Sequence, residues 1–164
     1  MSVPEVQGVE YANHIQAALD AEYQRRDNFN SRAATVITSA VGLVSLTLVV
    51  YALVLGKDFK LSGAELYCMM AALVFLLLCA ASGVLAGMSW SYDVAPASTL
   101  RDMITTRWMD DEVDARNCVA KTNIDTIESL RSGSTTKHRF LFTAYILQTV
   151  AIGALGLSAV FVFT

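Results

Sequence analysis

Apolar and polar positions fall in blocks along this chain, and three of the apolar blocks are long. Ala33 to Leu55 and Leu66 to Met88 each run 23 residues without a charged side chain, and Phe140 to Thr164 runs 25. All three exceed the roughly 18 residues at which an apolar run becomes a membrane-spanning candidate. As an α-helix the first would extend roughly 35 Å at about 1.5 Å per residue, enough for a hydrocarbon layer of about 30 Å. The pattern therefore predicts three transmembrane helices, 33–55, 66–88 and 140–164, the first two forming an antiparallel hairpin over 33–88.

The first run is not uniformly greasy. Thr35, Thr38, Gly42 and Ser45 recur at steps of three and four, and the series extends to Asn28 and Ser31 upstream and to Val49 and Ala52 downstream. Such spacing puts small or weakly polar residues on one helix face. Two readings follow. Small side chains let helix backbones approach and their hydroxyls bond locally, which is close helix packing. The same face, wetted, would line a pore. Gln148 in the third run joins this set as the most polar side chain of the three spans, serving either an interhelical hydrogen bond or a constriction.

Outside the spans the pattern is again helical. Over 1–32, Val9, Ala12, Ile15, Leu19, Tyr23 and Phe29 form an approximate apolar stripe that needs a partner. Gly56 to Gly63 reads as a short turn containing Lys57, Asp58 and Lys60. Gly83 and Gly87 in the second run, and Gly153 and Gly156 in the third, are candidates for close helix contact. Trp90 and Tyr92 follow where a membrane interface is expected. Pro96 then breaks the chain, with Ser98 and Asp102 among plausible capping-turn residues. From Leu100 to about Leu130, Met103, Ile104, Trp108, Val113, Ile124, Ile127 and Leu130 supply an interrupted apolar face. The acidic run Asp110-Asp111-Glu112-Val113-Asp114 reads as a solvated corner ahead of a cation site. Gly133 is a candidate kink before the third span.

Charge orients these elements. Arg25, Arg26 and Arg32 precede the first span, and Arg101, Arg107, Arg116, Lys121, Arg131, Lys137 and Arg139 lie between the second and third; only Lys57 and Lys60 fall on the other side. The positive-inside rule places the N-terminus and the 89–139 region in the cytoplasm of a multi-pass cell-membrane protein. The first 30 residues lack the apolar segment of a secretory signal peptide. The expected fold is all-α: three spans with cytoplasmic helical extensions, packed on each other as a stalk and on neighbouring copies as a homo-oligomer.

The chemistry of a catalyst is not evident. Cys68, Cys79 and Cys118 fit no ligand spacing and read as small apolar fillers, so no metal site is expected. His14 and His138 are isolated in sequence, and no phosphate loop or nucleophile elbow is present. A net charge of −3 argues against nucleic acid as a partner. No cofactor and no enzymatic activity are expected.

The segment Arg25-Arg26-Asp27-Asn28-Phe29-Asn30-Ser31-Arg32-Ala33-Ala34-Thr35 opening the first span resembles the small transmembrane effectors of bacterial antiphage signalling, the Pycsar transmembrane effector family. So does the polar helix from Asn117 through Lys121 and Asn123 to Lys137. That resemblance implies an inner-membrane protein whose cytoplasmic helices sense a nucleotide second messenger and whose membrane bundle changes permeability, although a two-crossing layout is more familiar in that family. The alternative is a non-catalytic structural or accessory subunit of a larger membrane complex.

Overall fold

The computed structural model describes residues 8–55, 63–88 and 95–163. Four α-helices occur in chain order: α1 Val9–Leu55, α2 Ala64–Gly87, α3 Ala97–Thr105 and α4 Glu112–Phe163. No strand occurs among the described residues. Three of the helices, over Val9–Leu53, Leu66–Gly87 and Glu112–Phe161, are long and apolar enough to cross a membrane. The expected turn at Gly56–Gly63, apart from Gly63, and the interface aromatics Trp90 and Tyr92 lie outside the described residues. Gly63 precedes α2 at φ +76°, a left-handed backbone that glycine adopts without the clash a Cβ would bring.

The chain divides into two compact units. One comprises residues 1–28 and 89–135, the other residues 29–88 and 136–164. We call them the polar unit and the apolar unit.

In the apolar unit, α1, α2 and α4 form one core. α1 contributes Phe29, Ala33, Val36 and Ala40, α2 contributes Leu76, Cys79 and Ala86, and α4 contributes Leu141, Ala144 and Ala151. Each set climbs its helix in steps of three or four and their multiples, so each helix buries a single narrow seam. The seams are rich in small residues, which is how helices with no solvent-driven hydrophobic force between them approach closely. Gly83 lies at the closest approach: a methyl group there would stand 2.9 Å from Ile37 Cγ1 and 3.6 Å from the Ala33 carbonyl oxygen. One turn on, a methyl at Gly87 would stand 3.6 Å from Ala33 Cβ. As α2 ascends, its α1 contacts descend, so these two helices are antiparallel. α1 and α4 are parallel, because Asn30, Ser39 and Tyr51 bond in ascending order to Lys137, Gln148 and Ser158.

In the polar unit the apolar core is small. Leu19 of α1 meets Ile127 and Leu130 of α4, flanked by Ile15, Ala18 and Tyr23. The stripe read from the sequence over 1–32 thus finds its partner in the first half of α4. Two polar bonds reinforce the pairing: Asn123 Nδ2 donates to Gln16 Oε1 at 3.1 Å, and Arg131 Nε donates to Glu22 Oε1 at 2.9 Å. Here too the order is ascending, so the helices are parallel within this unit.

The helical pattern read from Leu100 to about Leu130 is divided between two helices. α3 ends at Thr105, and Thr106 and Arg107 turn back by donating to the Asp102 carbonyl at 2.9 and 3.2 Å. α4 begins anew because Asp111 Oδ1 accepts the Asp114 backbone N–H at 2.8 Å, an N-terminal cap. The acidic run is therefore a helix start: Asp111 caps, Glu112 and Asp114 occupy the first turn where the helix dipole favours negative charge, and Glu112 pairs with Arg116 at 2.8 Å. Neither Ser98 nor Asp102 caps α3, whose first turn is closed by the Pro96 carbonyl without side-chain help. Of the apolar face read over this region, Ile127 and Leu130 are buried, whereas Ile104, Trp108 and Ile124 are exposed. α4 continues as α-helix through Gly133, the candidate kink position.

The Gly83 contact yields a direct test. Gly83→Leu is expected to cost about 1–3 kcal/mol through overpacking against Ile37, read as a lowered unfolding midpoint of the protein in detergent. Gly153→Ala, at a position where a methyl meets no atom within 4 Å, is expected to be neutral or slightly stabilising in the same assay.

Candidate functional site

The candidate seam on α1 lies entirely within helix, and its position relative to the core decides what it can do. Thr35, Thr38, Gly42 and Ser45 are all exposed. The residues that α1 buries in the same unit, Ala33, Val36, Ala40 and Thr47, belong to a seam displaced by two positions. Two residues correspond to about 200° of rotation, so the hydroxyl seam faces away from the core. At Gly42, among the described residues, a methyl group would meet no packing neighbour within 4 Å. Ser31, Val49 and Ala52, which extend the series in this unit, are exposed as well.

The surroundings of the seam are different in kind. Elsewhere the exposed surface of the apolar unit carries bulky side chains: Leu77 and Val74 on α2, Phe142, Ile146, Leu157 and Phe161 on α4, and Leu46 and Leu53 on α1. The hydroxyl seam is a smooth strip among them. Thr35 Oγ1 donates to the Ser31 carbonyl at 3.1 Å and Thr38 Oγ1 to the Ala34 carbonyl at 3.0 Å. These back-bonds remove the desolvation penalty that a free hydroxyl would bring to a dry helix contact. Each oxygen keeps acceptor capacity, so the strip also tolerates water.

Gln148 does not belong with this seam. Its amide Nε2 donates to Ser39 Oγ at 3.0 Å, and Ser39 in turn donates to the Val36 carbonyl at 3.0 Å. Gln148 thus joins α4 to α1 on the buried side, which is the interhelical bond of the two roles open to it. Gly153 and Gly156 make no close helix contact within the chain: among the described residues, a methyl placed at either would meet no packing neighbour within 4 Å. They leave an open small-residue patch on α4, whereas Gly83 and Gly87 make the helix contact read from their spacing.

Several polar positions that the sequence did not single out lie at the helix contacts. Lys137, which the sequence marked as a basic residue and as the end of a polar helix, is 1% exposed and donates to Asn30 Oδ1 at the foot of the apolar unit. A buried ammonium is tolerated only with such partners. Beside it, His138 packs edge-on to Phe29 and stacks with Phe142, with ring centroids 6.2 and 6.5 Å apart. Farther along, the Tyr51 and Ser158 hydroxyls lie 2.6 Å apart. In the polar unit, the buried Glu22 carboxylate receives Arg131 on Oε1 and faces Arg25 at 3.7 Å on Oε2. The one available signal for these pairs is numerical: bonded partners differ by 107 or 109 in residue number in each unit.

If Gln148 serves register rather than conduction, Gln148→Leu is expected to lower stability by roughly 0.5–1.5 kcal/mol. Ser39→Ala is expected to act non-additively with it in a double-mutant cycle of detergent unfolding, since the two share one bond. Comparison of the chain with protein-family models, with curated proteins and with solved structures gives no match.

Proposed function

We propose that this chain is a homo-oligomeric membrane effector or channel-like protein. Its three long apolar helices cross the bilayer of a bacterial inner membrane, and its polar unit faces the cytoplasm, where the excess of Arg and Lys belongs. One observation carries the reading: the Thr35–Thr38–Gly42–Ser45 strip, uncovered in the single chain, lies amid bulky side chains suited to lipid. A strip of this kind is covered when copies associate through it, or wetted when copies arrange it around a central path. The polar unit, with few apolar contacts and exposed polar bonds, is the part able to respond to a signal. The family resemblance implies that this signal is a nucleotide second messenger made during phage infection. No catalytic step and no nucleic acid enter this reading.

A second reading has its own support. Because Thr35 and Thr38 satisfy their hydroxyls internally, the strip also suits dry packing against a different membrane protein. The chain would then be a non-catalytic accessory subunit.

Reconstitution into dye-loaded liposomes separates the two. The effector reading expects leakage from the wild-type protein, alone or with candidate cyclic nucleotides, and a large loss of it in Thr38→Leu/Ser45→Leu protein that still assembles by mass. Undiminished leakage in that double variant removes the strip from the path. A tight protein that co-purifies with a larger partner supports the accessory subunit. Orientation is tested at Cys118: a membrane-impermeant maleimide is expected to leave it unlabelled in intact cells and to label it after permeabilisation. Labelling in intact cells reverses the topology.

A further inference from the structure

The charges of the apolar unit are sorted by end. Arg32, Lys137 and Arg139 stand where α1 and α4 enter it, and the one acid among its described residues is Glu65. Glu65 begins α2, about 27 Å along that helix from Gly83 at about 1.5 Å per residue, whereas Gly83 packs beside Ala33. Arg32 and Arg139 are exposed and form no ion pair among the described residues. The acid next before them on α1, Asp27, is paired with Arg26 at 2.9 Å. Their separation of 107 is that of the bonded pair Asn30 and Lys137, which puts Arg32 and Arg139 at one level. Arg32 lies two turns before Ser39, which bonds Gln148, so it borders the seam between α1 and α4. His138 borders the same seam, edge-on to Phe29 at 6.2 Å, and Phe29 neighbours Arg32 on α1. α2 meets the other flank of α1: Gly83 packs on Ile37, about 140° around the helix from Arg32. Above the basic level this open lane is apolar. Phe142, stacked on His138, is 60% exposed, and Leu46, two heptads above Arg32, is 61% exposed.

We propose that this lane binds an anionic phospholipid. Its phosphate lies on Arg32 and His138, Arg139 adds charge at that level, and an acyl chain runs along Leu46 and Phe142. The inference rests on the reading that the apolar unit spans a bilayer, and adds to it a ligand of stated charge at a stated place. Basic positions between spans are where anionic head groups are held. A guanidinium offers paired donors to phosphate oxygens, and an imidazole keeps at least one N–H to donate. A zwitterionic head group carries its own cation, which the two exposed arginines oppose. A second copy is a poor occupant, because in a two-fold contact through this lane arginine would face arginine. A soluble phosphate would leave Leu46 and Phe142 uncovered.

The test titrates the full-length protein, in a neutral detergent, with phosphatidylglycerol or with phosphatidylcholine of equal chain length. Bound lipid is counted by native mass spectrometry. Phosphatidylglycerol is expected to bind about tenfold more tightly. Arg32→Gln is expected to weaken it about fivefold and Arg32→Gln/Arg139→Gln about thirtyfold, whereas Arg32→Lys and the polar-unit change Arg101→Gln stay within about twofold. Helix content by circular dichroism is expected to be unchanged, because Arg32, Arg101 and Arg139 are all exposed. Equal binding of the two lipids, or undiminished phosphatidylglycerol binding by the double Gln variant, overturns the proposal. Displacement of the lipid by an equal concentration of glycerol phosphate also overturns it, since the site is then one for a free phosphate. So does a dimer that binds no phosphatidylglycerol, which puts a second copy in the lane. The underlying membrane reading has its own measurement: protein reconstituted into liposomes is expected to stay with them through an alkaline carbonate wash. Release in that wash overturns both readings, and retention with equal binding of the two lipids removes the lane alone.

Discussion

The pairing of α1 with α4 is the constraint on which the rest depends. Residues more than a hundred positions apart bond along both helices, and in each unit the partners differ by 107 or 109. Parallel neighbours cannot be joined by a short turn. Within the apolar unit α2, antiparallel to α1, runs back between them in sequence. Each interhelical polar bond in a membrane setting contributes little, roughly 0.6 kcal/mol on average. Their value is in register: a slip by one helical turn would strand Lys137 and Gln148 away from Asn30 and Ser39, leaving buried polar groups without these partners.

The two units solve the same pairing with different chemistry. In the apolar unit small residues let three helices close upon a narrow core, and polar bonds punctuate it. The polar unit has three buried apolar side chains at its centre, and much of its pairing is carried by Asn123 with Gln16 and Arg131 with Glu22. Glu22 is flanked by two guanidinium groups, yet its Oε2 has no hydrogen bond. A buried carboxylate oxygen in that state weakens the layer that contains it. Low local stability of this kind is where responsive elements are commonly found.

The surfaces left open are as informative as those that are closed. α1 presents a small-residue strip whose Thr35 and Thr38 hydroxyls bond back to their own helix, α4 presents Gly153 and Gly156, and α3 presents Leu100 and Ile104. A soluble monomer rarely leaves such features uncovered together.

Length and the absence of charge were enough to place three apolar helices long enough to cross a membrane. The Gly83–Gly87 contact was also legible from its spacing: a methyl at Gly83 would crowd Ile37 at 2.9 Å, and one at Gly87 would just touch Ala33 at 3.6 Å. The acidic run read as a solvated corner, but that Asp111 would capture the Asp114 N–H and start α4 there was not legible, because several neighbouring carboxylates could cap equally well. Nor was the buried face of α1. In a membrane helix the inside and the lipid side are both apolar, so Ala33, Val36 and Ala40 look no different from Val41 or Leu46. The regular hydroxyl series drew attention to the opposite face. Sequence alone therefore determined which segments are helices. Which face of each helix is covered, and that Lys137 is buried instead of solvated, was decided by partners more than a hundred residues away, whose approach no local pattern encodes.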